Sequence, residues 1–216
     1  MGSDNNRRQI LAVCVVAVVI AGALLELSGT ISRRSLRAVS ARSRGKYVTS
    51  EFGQEQPASL QAWLASLEAR IRPSIIVTAL YDIGRDAHGR TMATYLDWFA
   101  HMLLIASPVV VFVDDASIVR FVKEARRRLP TFIVKRPFGD LEYARLMPWV
   151  ESVQQSEQWR SCVEHPSRLE WILPAYISLI WSKLGLVSEV AEADPQASNR
   201  YYAWLDAGAI WRVALG

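Results

Sequence analysis

The sequence predicts an α/β domain with a mainly parallel sheet and flanking helices, because short apolar runs alternate with helical segments. Residues 75–80, 109–113 and 131–134 have the length and composition of strands that are buried on both faces. Helical periodicity follows the first two runs, at residues 91–105 and 116–128. This alternation implies parallel βαβ connections and argues against an antiparallel sandwich.

A further apolar run, at residues 201–211, is interrupted by one carboxylate, Asp206. We expect a strand buried on both faces, with residues 203–205 beside the first two strands and Asp206 at its end. Ligands of open α/β sheets bind outside the carboxyl ends of the strands, so Asp206 is placed to contact a metal, a phosphate-bound metal or a sugar hydroxyl. Gly208 would let a ligand or another backbone approach closely. The alternative is that Asp206 only caps a turn or a helix.

The segment between the third strand and this run follows a different pattern. Residues 138–150 are predicted to form a loop that leads into a helix, and the polar segment up to Ser167 an excursion over the sheet. Residues 174–185 form a helix that is apolar nearly all round and therefore buried, with Gly185 as its C-terminal cap. Lys183 on this helix either serves a ligand or extends its ammonium group from the helix end to solvent.

The distribution of charge and the missing motifs exclude several functions. The 216 residues carry a net charge of +4, but residues 1–46 hold eight basic and two acidic residues, so the rest of the chain carries −2. A faintly acidic domain lacks the basic surface of a nucleic-acid-binding protein, and we expect no nucleic acid partner. The sequence contains neither G-x-G-x-x-G nor G-x-x-x-x-G-K-[ST], which argues against an ordinary dinucleotide fold and a P-loop NTPase.

The N-terminal part predicts attachment to a membrane. Residues 10–25 are sixteen apolar or small residues, close to the length of a membrane-spanning helix. We expect a cytoplasmic tail and membrane anchor at residues 1–28, a flexible stem at 29–58, and the α/β domain at 59–216, which begins with a short helix. The alternative for the apolar stretch is a signal peptide. The topology stays open. The basic residues after the stretch would keep the domain in the cytoplasm, whereas a type II arrangement would place it on the other side of the membrane.

Three spaced blocks carry a family resemblance: Val77-Thr78-Ala79 through Asp82-Ile83-Gly84-Arg85, Leu173-Pro174-Ala175-Tyr176 with Ser182-Lys183, and Trp204-Leu205-Asp206-Ala207-Gly208. Together they resemble the bacterial HtrL/YibB protein family over about residues 74–212. The resemblance implies a glycosyltransferase-like protein of cell-surface glycan or lipopolysaccharide core synthesis. It also implies a GT-A or Rossmann-like nucleotide-sugar fold. A GT-A transferase continues with further strands after this point, whereas the chain stops at Gly216, so we expect a fold that is incomplete at its C-terminus.

Asp206 is the catalytic residue and metal ligand that the resemblance implies. The segment Leu-Asp-Ala-Gly is similar to the Asp-x-Asp motif of GT-A transferases, in which two carboxylates hold a divalent ion that bridges the sugar-nucleotide diphosphate. Gly208 stands at the second carboxylate's position, so Asp206 alone would hold Mg²⁺ or Mn²⁺. A single carboxylate is compatible with Mg²⁺, which often takes one or two carboxylates besides phosphate oxygens.

The predicted substrate-binding residues are Tyr81, Asp82, Arg85, Asp114, Asp115 and Lys183. The first three would contact the nucleotide, and the acidic pair its base or ribose. Arg85 or Lys183 would neutralise the charge of the leaving group. The alternatives are loop packing for the tyrosine, a solvated ion pair for the arginine and a helix N-cap for the acidic pair.

We therefore expect a membrane-tethered transferase that uses a nucleotide-sugar donor and a glycan or glycolipid acceptor. Its single-pass anchor would lie in the Golgi or endoplasmic reticulum of a eukaryote, as a type II protein, or in the inner membrane of a bacterium. The alternative is a catalytically inactive, membrane-anchored binding or scaffold domain of the same fold. Gly208 favours the inactive domain, whereas the polar loop at residues 81–90 favours the enzyme.

Overall fold

A computed structural model describes residues 57–67, 74–195 and 200–209, together with the backbone of residues 46–47. The predicted anchor and nearly all of the predicted stem lie outside these residues. Within the described ranges, no helix is both long and apolar enough to cross a membrane.

The described residues form five strands: β1 Lys46–Tyr47, β2 Ser74–Leu80, β3 Val109–Val113, β4 Thr131–Lys135 and β5 Tyr201–Trp204. They form one sheet in the order β1-β4-β3-β2-β5. β2 to β5 are parallel, and the two-residue β1 pairs antiparallel with β4. The predicted parallel α/β fold is therefore confirmed, with β2 as the neighbour of both β3 and β5.

Seven α-helices and three short 3-10 helices connect the described strands. The α-helices are α1 Leu60–Ser66, α2 Met92–Met102, α3 Ala116–Ala125, α4 Met147–Gln155, α5 Glu157–Cys162, α6 Leu169–Ile172 and α7 Pro174–Ala193, and the 3-10 helices are Arg85–His88, Phe138–Asp140 and Ala144–Leu146. The side chains of Ser59, Thr91 and Asp115 accept backbone hydrogen bonds at the N-termini of α1, α2 and α3, as expected of these residue types.

Alternate residues of the central strands point to opposite faces and fill two separate cores. In β3, Val110 and Phe112 belong to the core beneath α1 and α7. Val109, Val111 and Val113 belong to the core beneath α2 and α3. All five side chains are fully buried, which is why this strand is apolar at every position instead of alternating.

The order of the strands creates a crevice beside β2. The chain passes from β2 to β3 to β4 in one direction across the sheet, and then returns to place β5 on the other side of β2. Ile76 and Val77 of β2 pair with Ala203 and Trp204 of β5 in parallel register. The connections after β2 and β5 therefore leave the same edge of the sheet at a topological switch point, where ligands of open α/β folds bind.

The helix predicted for residues 174–185 continues to Ala193, so the prediction that Gly185 caps it is wrong. A glycine inside a helix costs about 1 kcal/mol relative to alanine. Burial of a leucine or valine side chain contributes about 1.5–3 kcal/mol, so packing beyond the glycine outweighs this cost. The buried side chains of α7 recur at a spacing of four on both sides of the glycine: Ser178, Ser182, Leu186 and Val190.

The prediction that residues 201–211 form a strand buried on both faces is also wrong. β5 ends at Trp204, and it lies at an edge of the described sheet. Tyr202 and Trp204 are half-buried against the core that contains α7, whereas Tyr201 and Ala203 point the other way and are exposed. An apolar run therefore marks a strand here, but an edge strand is covered on one face only.

A buried ion pair fixes β5 to the rest of the domain. Arg200 Nη1 donates to Asp194 Oδ2 at 2.8 Å, and both side chains are essentially inaccessible to water. The same guanidinium donates to the carbonyl oxygens of Leu64 and Leu67, at the end of α1, and Tyr202 donates its hydroxyl to Asp194 Oδ2 at 2.6 Å. The end of α7, the start of β5 and the end of α1 are thereby joined at one point.

We expect Asp194→Asn to lower the free energy of unfolding by about 3–5 kcal/mol, because it leaves a buried guanidinium without its counter-charge. Urea unfolding followed by tryptophan fluorescence measures this change. The matched control is Asp97→Asn, which removes an exposed carboxylate on α2. Equal unfolding midpoints for the two variants would show that the Asp194 pair does not support β5.

Candidate functional site

A cavity of about 230 Å³ lies at the carboxyl ends of β2 and β5, at the topological switch point. The residues that line it come from the end of β2 and the loop that follows, from α2, from α7 and from the segment after β5. Four of the predicted site residues line this cavity: Tyr81, Arg85, Lys183 and Asp206.

Arg85 projects from the loop after β2 because of a tight local turn. Asp82 Oδ1 accepts a hydrogen bond from the Gly84 backbone N–H at 3.0 Å. Gly84 adopts a left-handed conformation, with φ of 77°, that few side-chain-bearing residues adopt. The 3-10 helix Arg85–His88 begins immediately afterwards, and its first side chain is buried. Asp82 therefore shapes the loop and does not line the cavity.

The Arg85 guanidinium lies between two aromatic rings. Its central carbon is 5.5 Å from the ring centroid of Tyr95 and 5.2 Å from that of Tyr176. The residue is 8% exposed, and its Nε has no hydrogen-bond partner among the described residues. Cation–π contacts with two rings stabilise the charge by about 1–2 kcal/mol each when water is excluded, and they leave the edge of the guanidinium open for an anion.

The other buried arginines of the described residues differ from Arg85 in their partners. Arg126 donates five hydrogen bonds, four to backbone carbonyl oxygens and one to a threonine hydroxyl. Arg136 and Arg200 each pair with a carboxylate. Within the described ranges, Arg85 alone among these buried arginines has neither a carboxylate partner nor a hydrogen bond, so an anion in the cavity would not have to displace such a partner.

Lys183 and Trp204 both bind the carboxylate of Asp206. Lys183 Nζ lies 2.6 Å from Asp206 Oδ1, and Trp204 Nε1 donates to the same oxygen at 2.7 Å. Burial raises the pKa of Asp206, but the hydrogen bonds from Lys183 and Trp204, together with the lysine charge, outweigh burial and hold the pKa below its ordinary value. The Asp206 side chain is 57% exposed, and it does not cap a described helix.

The charges around the cavity fit an anion better than a divalent cation. Arg85, Arg90 and Lys183 line the cavity with positive charge, and Asp206 supplies its one carboxylate. Within the described residues, no three His, Cys, Asp or Glu side chains are grouped so that they could hold a metal ion. A Cβ atom added at Gly208 would lie 3.0 Å from Trp98 Cε3, so a second carboxylate there would require the indole to shift by a few tenths of an ångström. The Mg²⁺ or Mn²⁺ site at Asp206 stays a prediction.

Tyr81 packs in the loop after β2, and Asp115 of the predicted acidic pair caps a helix, as the alternatives to ligand binding predict. Tyr81 is buried and packs edge-on against Phe138, with 5.6 Å between ring centroids, and burial raises the pKa of its hydroxyl. Asp115 accepts hydrogen bonds from the Ser117 and Ile118 backbone N–H groups as the N-cap of α3, and the bonds from Ser117 lower its pKa. Asp114 is half-buried, and burial raises its pKa. Neither aspartate lines the cavity, and their ligand roles stay predictions.

The sequence matches the model of the HtrL_YibB family, described as a bacterial protein of unknown function, over residues 72–212. The chain belongs to the HtrL_YibB family. The match covers more than half of the chain and includes every residue that lines the cavity. No curated protein and no solved structure matches the chain significantly.

The HtrL_YibB domain also contains site residues that sequence reasoning missed. Tyr95 and Trp98 of α2 line the cavity with their rings 5.5 Å apart, and Tyr176 of α7 lies across Arg85 from Tyr95. Arg90 stacks over Trp98 at 5.4 Å. The sequence signal was the cluster of aromatic residues in helices next to a polar loop. Helical periodicity alone assigns such residues to a hydrophobic core.

We expect the Trp204 indole N–H signal in NMR spectra of the HtrL_YibB domain to respond to pH only under strongly acidic conditions. The folded-state pKa of Asp206 lies below its ordinary value of 3.8, so its bonds to Lys183 and Trp204 are complete above 3.8 and are lost as the pH falls through the lowered value. Trp204→Phe assigns the signal. Asp206→Asn should abolish the acid response, and Lys183→Met should move its midpoint upward. A midpoint above 3.8 in the unaltered protein would contradict the ion pair.

Proposed function

We propose that this domain binds a nucleotide sugar in the cavity between β2 and β5 and transfers the sugar to a cell-surface glycan or glycolipid. The observation that carries the proposal is the buried guanidinium of Arg85, which has no carboxylate partner among the described residues and lies at the switch point of a parallel sheet. A GT-A-type architecture is part of the proposal.

The energetics of Arg85 favour an anionic ligand. A buried charge is costly unless it is paired, and the aromatic rings compensate for only part of this cost. A phosphate group would supply both the opposite charge and the acceptor oxygens that the guanidinium lacks, and arginine binds phosphate through paired hydrogen bonds. Arg90 and Lys183 add positive charge around the same cavity. Three cations and one carboxylate suit a ligand with more than one negative charge.

The aromatic lining of the cavity favours a nucleotide, and its size fits part of one. Pockets for small organic ligands typically enclose about 300–1,000 Å³. A cavity of about 230 Å³ would therefore hold part of a nucleotide sugar and leave the remainder at its rim. Trp98, with Arg90 stacked over it, offers a flat surface for a base or for the apolar face of a sugar.

Transfer of the sugar would use the same charges. The bond between the anomeric carbon and the phosphate oxygen breaks, its electron pair stays on the departing phosphate, and the acceptor hydroxyl loses its proton as it bonds to the carbon. Arg85 and Lys183 would stabilise the charge that develops on the departing group. The lowered pKa of Asp206 makes it a weak general base, so in this step the acceptor proton passes to an oxygen of the departing phosphate.

A non-catalytic binding domain is the second candidate, and one observation favours it. The one carboxylate that lines the cavity is already held by Lys183 and Trp204. Such a domain would bind the nucleotide sugar without consuming it. Incubation of the full chain with a radiolabelled donor and a glycolipid extract separates the two candidates, because only the enzyme transfers or hydrolyses the sugar. Membrane attachment through residues 1–28 and the location of the protein stay proposals in either case.

We expect the full chain to bind at least one member of a panel of UDP-, GDP- and CMP-sugars in isothermal titration calorimetry. Arg85→Gln should weaken this binding by about tenfold to a hundredfold, because charge-assisted hydrogen bonds contribute about 1.5–3 kcal/mol. The same substitution should leave thermal stability unchanged or raise it, since it removes a buried charge without a described partner. Stability and binding would then change in opposite directions, as is common at functional sites.

The control for this experiment is Arg120→Gln, which removes an exposed guanidinium on α3 outside the cavity. Its affinity should equal that of the unaltered chain. Failure of every nucleotide sugar to bind, or equal affinity of Arg85→Gln and Arg120→Gln, would contradict the proposal.

A further inference from the structure

We infer that Arg85 and Lys183 neutralise the diphosphate of the donor without a divalent cation, and that Asp206 holds Lys183 in position. The inference rests on the proposed function, because it assigns the groups that bind the diphosphate of the proposed nucleotide sugar. It gives Asp206 a role different from the metal ligand that the family resemblance implies.

The first argument is the position of the lysine charge. The Lys183 ammonium group is 2.6 Å from Asp206 Oδ1, where it already neutralises the carboxylate. A divalent cation bound to the same carboxylate would lie beside this ammonium group and be repelled by it. Trp204 Nε1 also donates to Oδ1, so two donors compete with a metal for that oxygen.

The second argument is the supply of oxygen ligands. Mg²⁺ requires octahedral coordination at about 2.0–2.1 Å and usually takes one or two carboxylates besides phosphate oxygens and water. Asp206 is the one carboxylate among the described residues that line the cavity, and its Oδ1 is already bound by Lys183 and Trp204. Gly208 stands at the second position of the Asp-x-Asp-like segment, and a Cβ atom at this position would approach Trp98 Cε3 to 3.0 Å. The cavity therefore offers little to a hard cation.

The third argument is that one helix, α7, positions both cationic groups at one cavity. Tyr176, Ile180 and Lys183 of α7 have the spacing of four and three residues that places side chains on one helix face, and all three line the cavity. Tyr176 holds the Arg85 guanidinium at 5.2 Å, and Lys183 lies two turns further along the helix. α7 thus borders one cavity with both cationic groups near it, Arg85 beside Tyr176 and Lys183 two turns further along, and the inference places the diphosphate between them.

Lys183 is also the more exposed of the two charges. Its side chain is 24% exposed and its ammonium group contacts the Trp204 ring at 5.7 Å, whereas Arg85 is buried between two rings. The ammonium group has three donors, so it can keep one bond to Asp206 and offer the others to a phosphate. Asp206 is therefore a positioning residue in this arrangement, because it acts on the ligand through Lys183.

The inference is tested by calorimetric titration of the full chain with UDP and GDP, first in excess EDTA and then in Mn²⁺. We expect the affinity for the preferred nucleotide to agree within about twofold between the two conditions. Lys183→Met should weaken binding by about tenfold or more in both conditions, as loss of a charge-assisted hydrogen bond predicts. The matched control, Lys123→Met on α3, should bind as the unaltered chain does.

A double-variant comparison tests the positioning role of Asp206. Asp206→Asn should weaken nucleotide binding less than Lys183→Met does, and the double variant should bind no more weakly than Lys183→Met alone, because both changes act through one ammonium group. Additive losses in the double variant would overturn the positioning role. Heat from Mn²⁺ alone that disappears in Asp206→Asn would overturn it as well.

The outcomes separate the inference from the proposed function. Binding of UDP or GDP only in Mn²⁺ would overturn the inference and leave the proposed nucleotide-sugar site intact. Equal binding by Lys183→Met and the unaltered chain in EDTA would likewise overturn the role of Lys183 alone. Absence of binding by any nucleotide or nucleotide sugar, in either condition, would overturn the proposed function itself.

Discussion

The buried pair of Asp194 and Arg200 is the interaction on which the position of the site depends. It joins the start of β5 to the end of α7 and the end of α1, and β5 pairs with β2 directly after this contact. That return creates the switch point, and the cavity exists because two strand ends diverge there. Buried ion pairs contribute little net stability compared with apolar residues of the same size, and their best-supported role is to specify one arrangement. In this domain, we expect the Asp194–Arg200 pair to specify the register of β5. The exposed side chains of this edge strand specify its register poorly.

Two buried arginines of the domain differ in what surrounds them, and only the second is part of the proposed ligand site. Arg126 has its hydrogen-bonding groups occupied by carbonyl oxygens, and burial lowers its pKa to about 10. Among the described residues, Arg85 contacts aromatic rings and has no hydrogen bond, so the rings stabilise its charge without occupying its donors. Rings are therefore a means of orienting a cation before a ligand arrives, since an acidic partner would compete with the phosphate. Such preorganisation reduces the entropy that binding would otherwise cost.

The ion pair of Lys183 and Asp206 shows why a resemblance in fold does not by itself imply that Asp206 is a metal ligand. A carboxylate after an edge strand is the expected place for a metal ligand in a nucleotide-sugar fold, yet the nearest charge to it in this domain is an ammonium group. The glycine two residues later is packed against an indole where a second carboxylate would stand. Lys183 and Gly208 therefore leave the described lining of the cavity with three cationic side chains and one carboxylate.

The central part of the fold could be predicted from the sequence because its signals are local. β3 was predicted with its observed bounds, since five successive buried apolar residues between turn signals have few other interpretations. Asp115 was weighed as an N-cap, and its hydrogen bonds to the first turn of α3 depend only on residues that follow it in the chain. Arg85 and Asp206 were selected because residues after parallel strands converge at one edge of the sheet, and Lys183 because it interrupts a helix that is apolar nearly all round.

The remaining features depend on contacts between residues that are distant in the sequence. Gly185 lies inside α7, against its local preference, because Leu186 and Val190 are buried beneath the sheet. The position of β5 at an edge, with one face exposed, follows from its pairing with β2. The sequence by itself thus determined the strands, the helices between them and the chemical types of the site residues, because periodicity and capping act over a few positions. Only the tertiary structure decided that Arg85 would stack between Tyr95 and Tyr176 and that Lys183 would bind Asp206, because those partners meet only when the sheet is assembled.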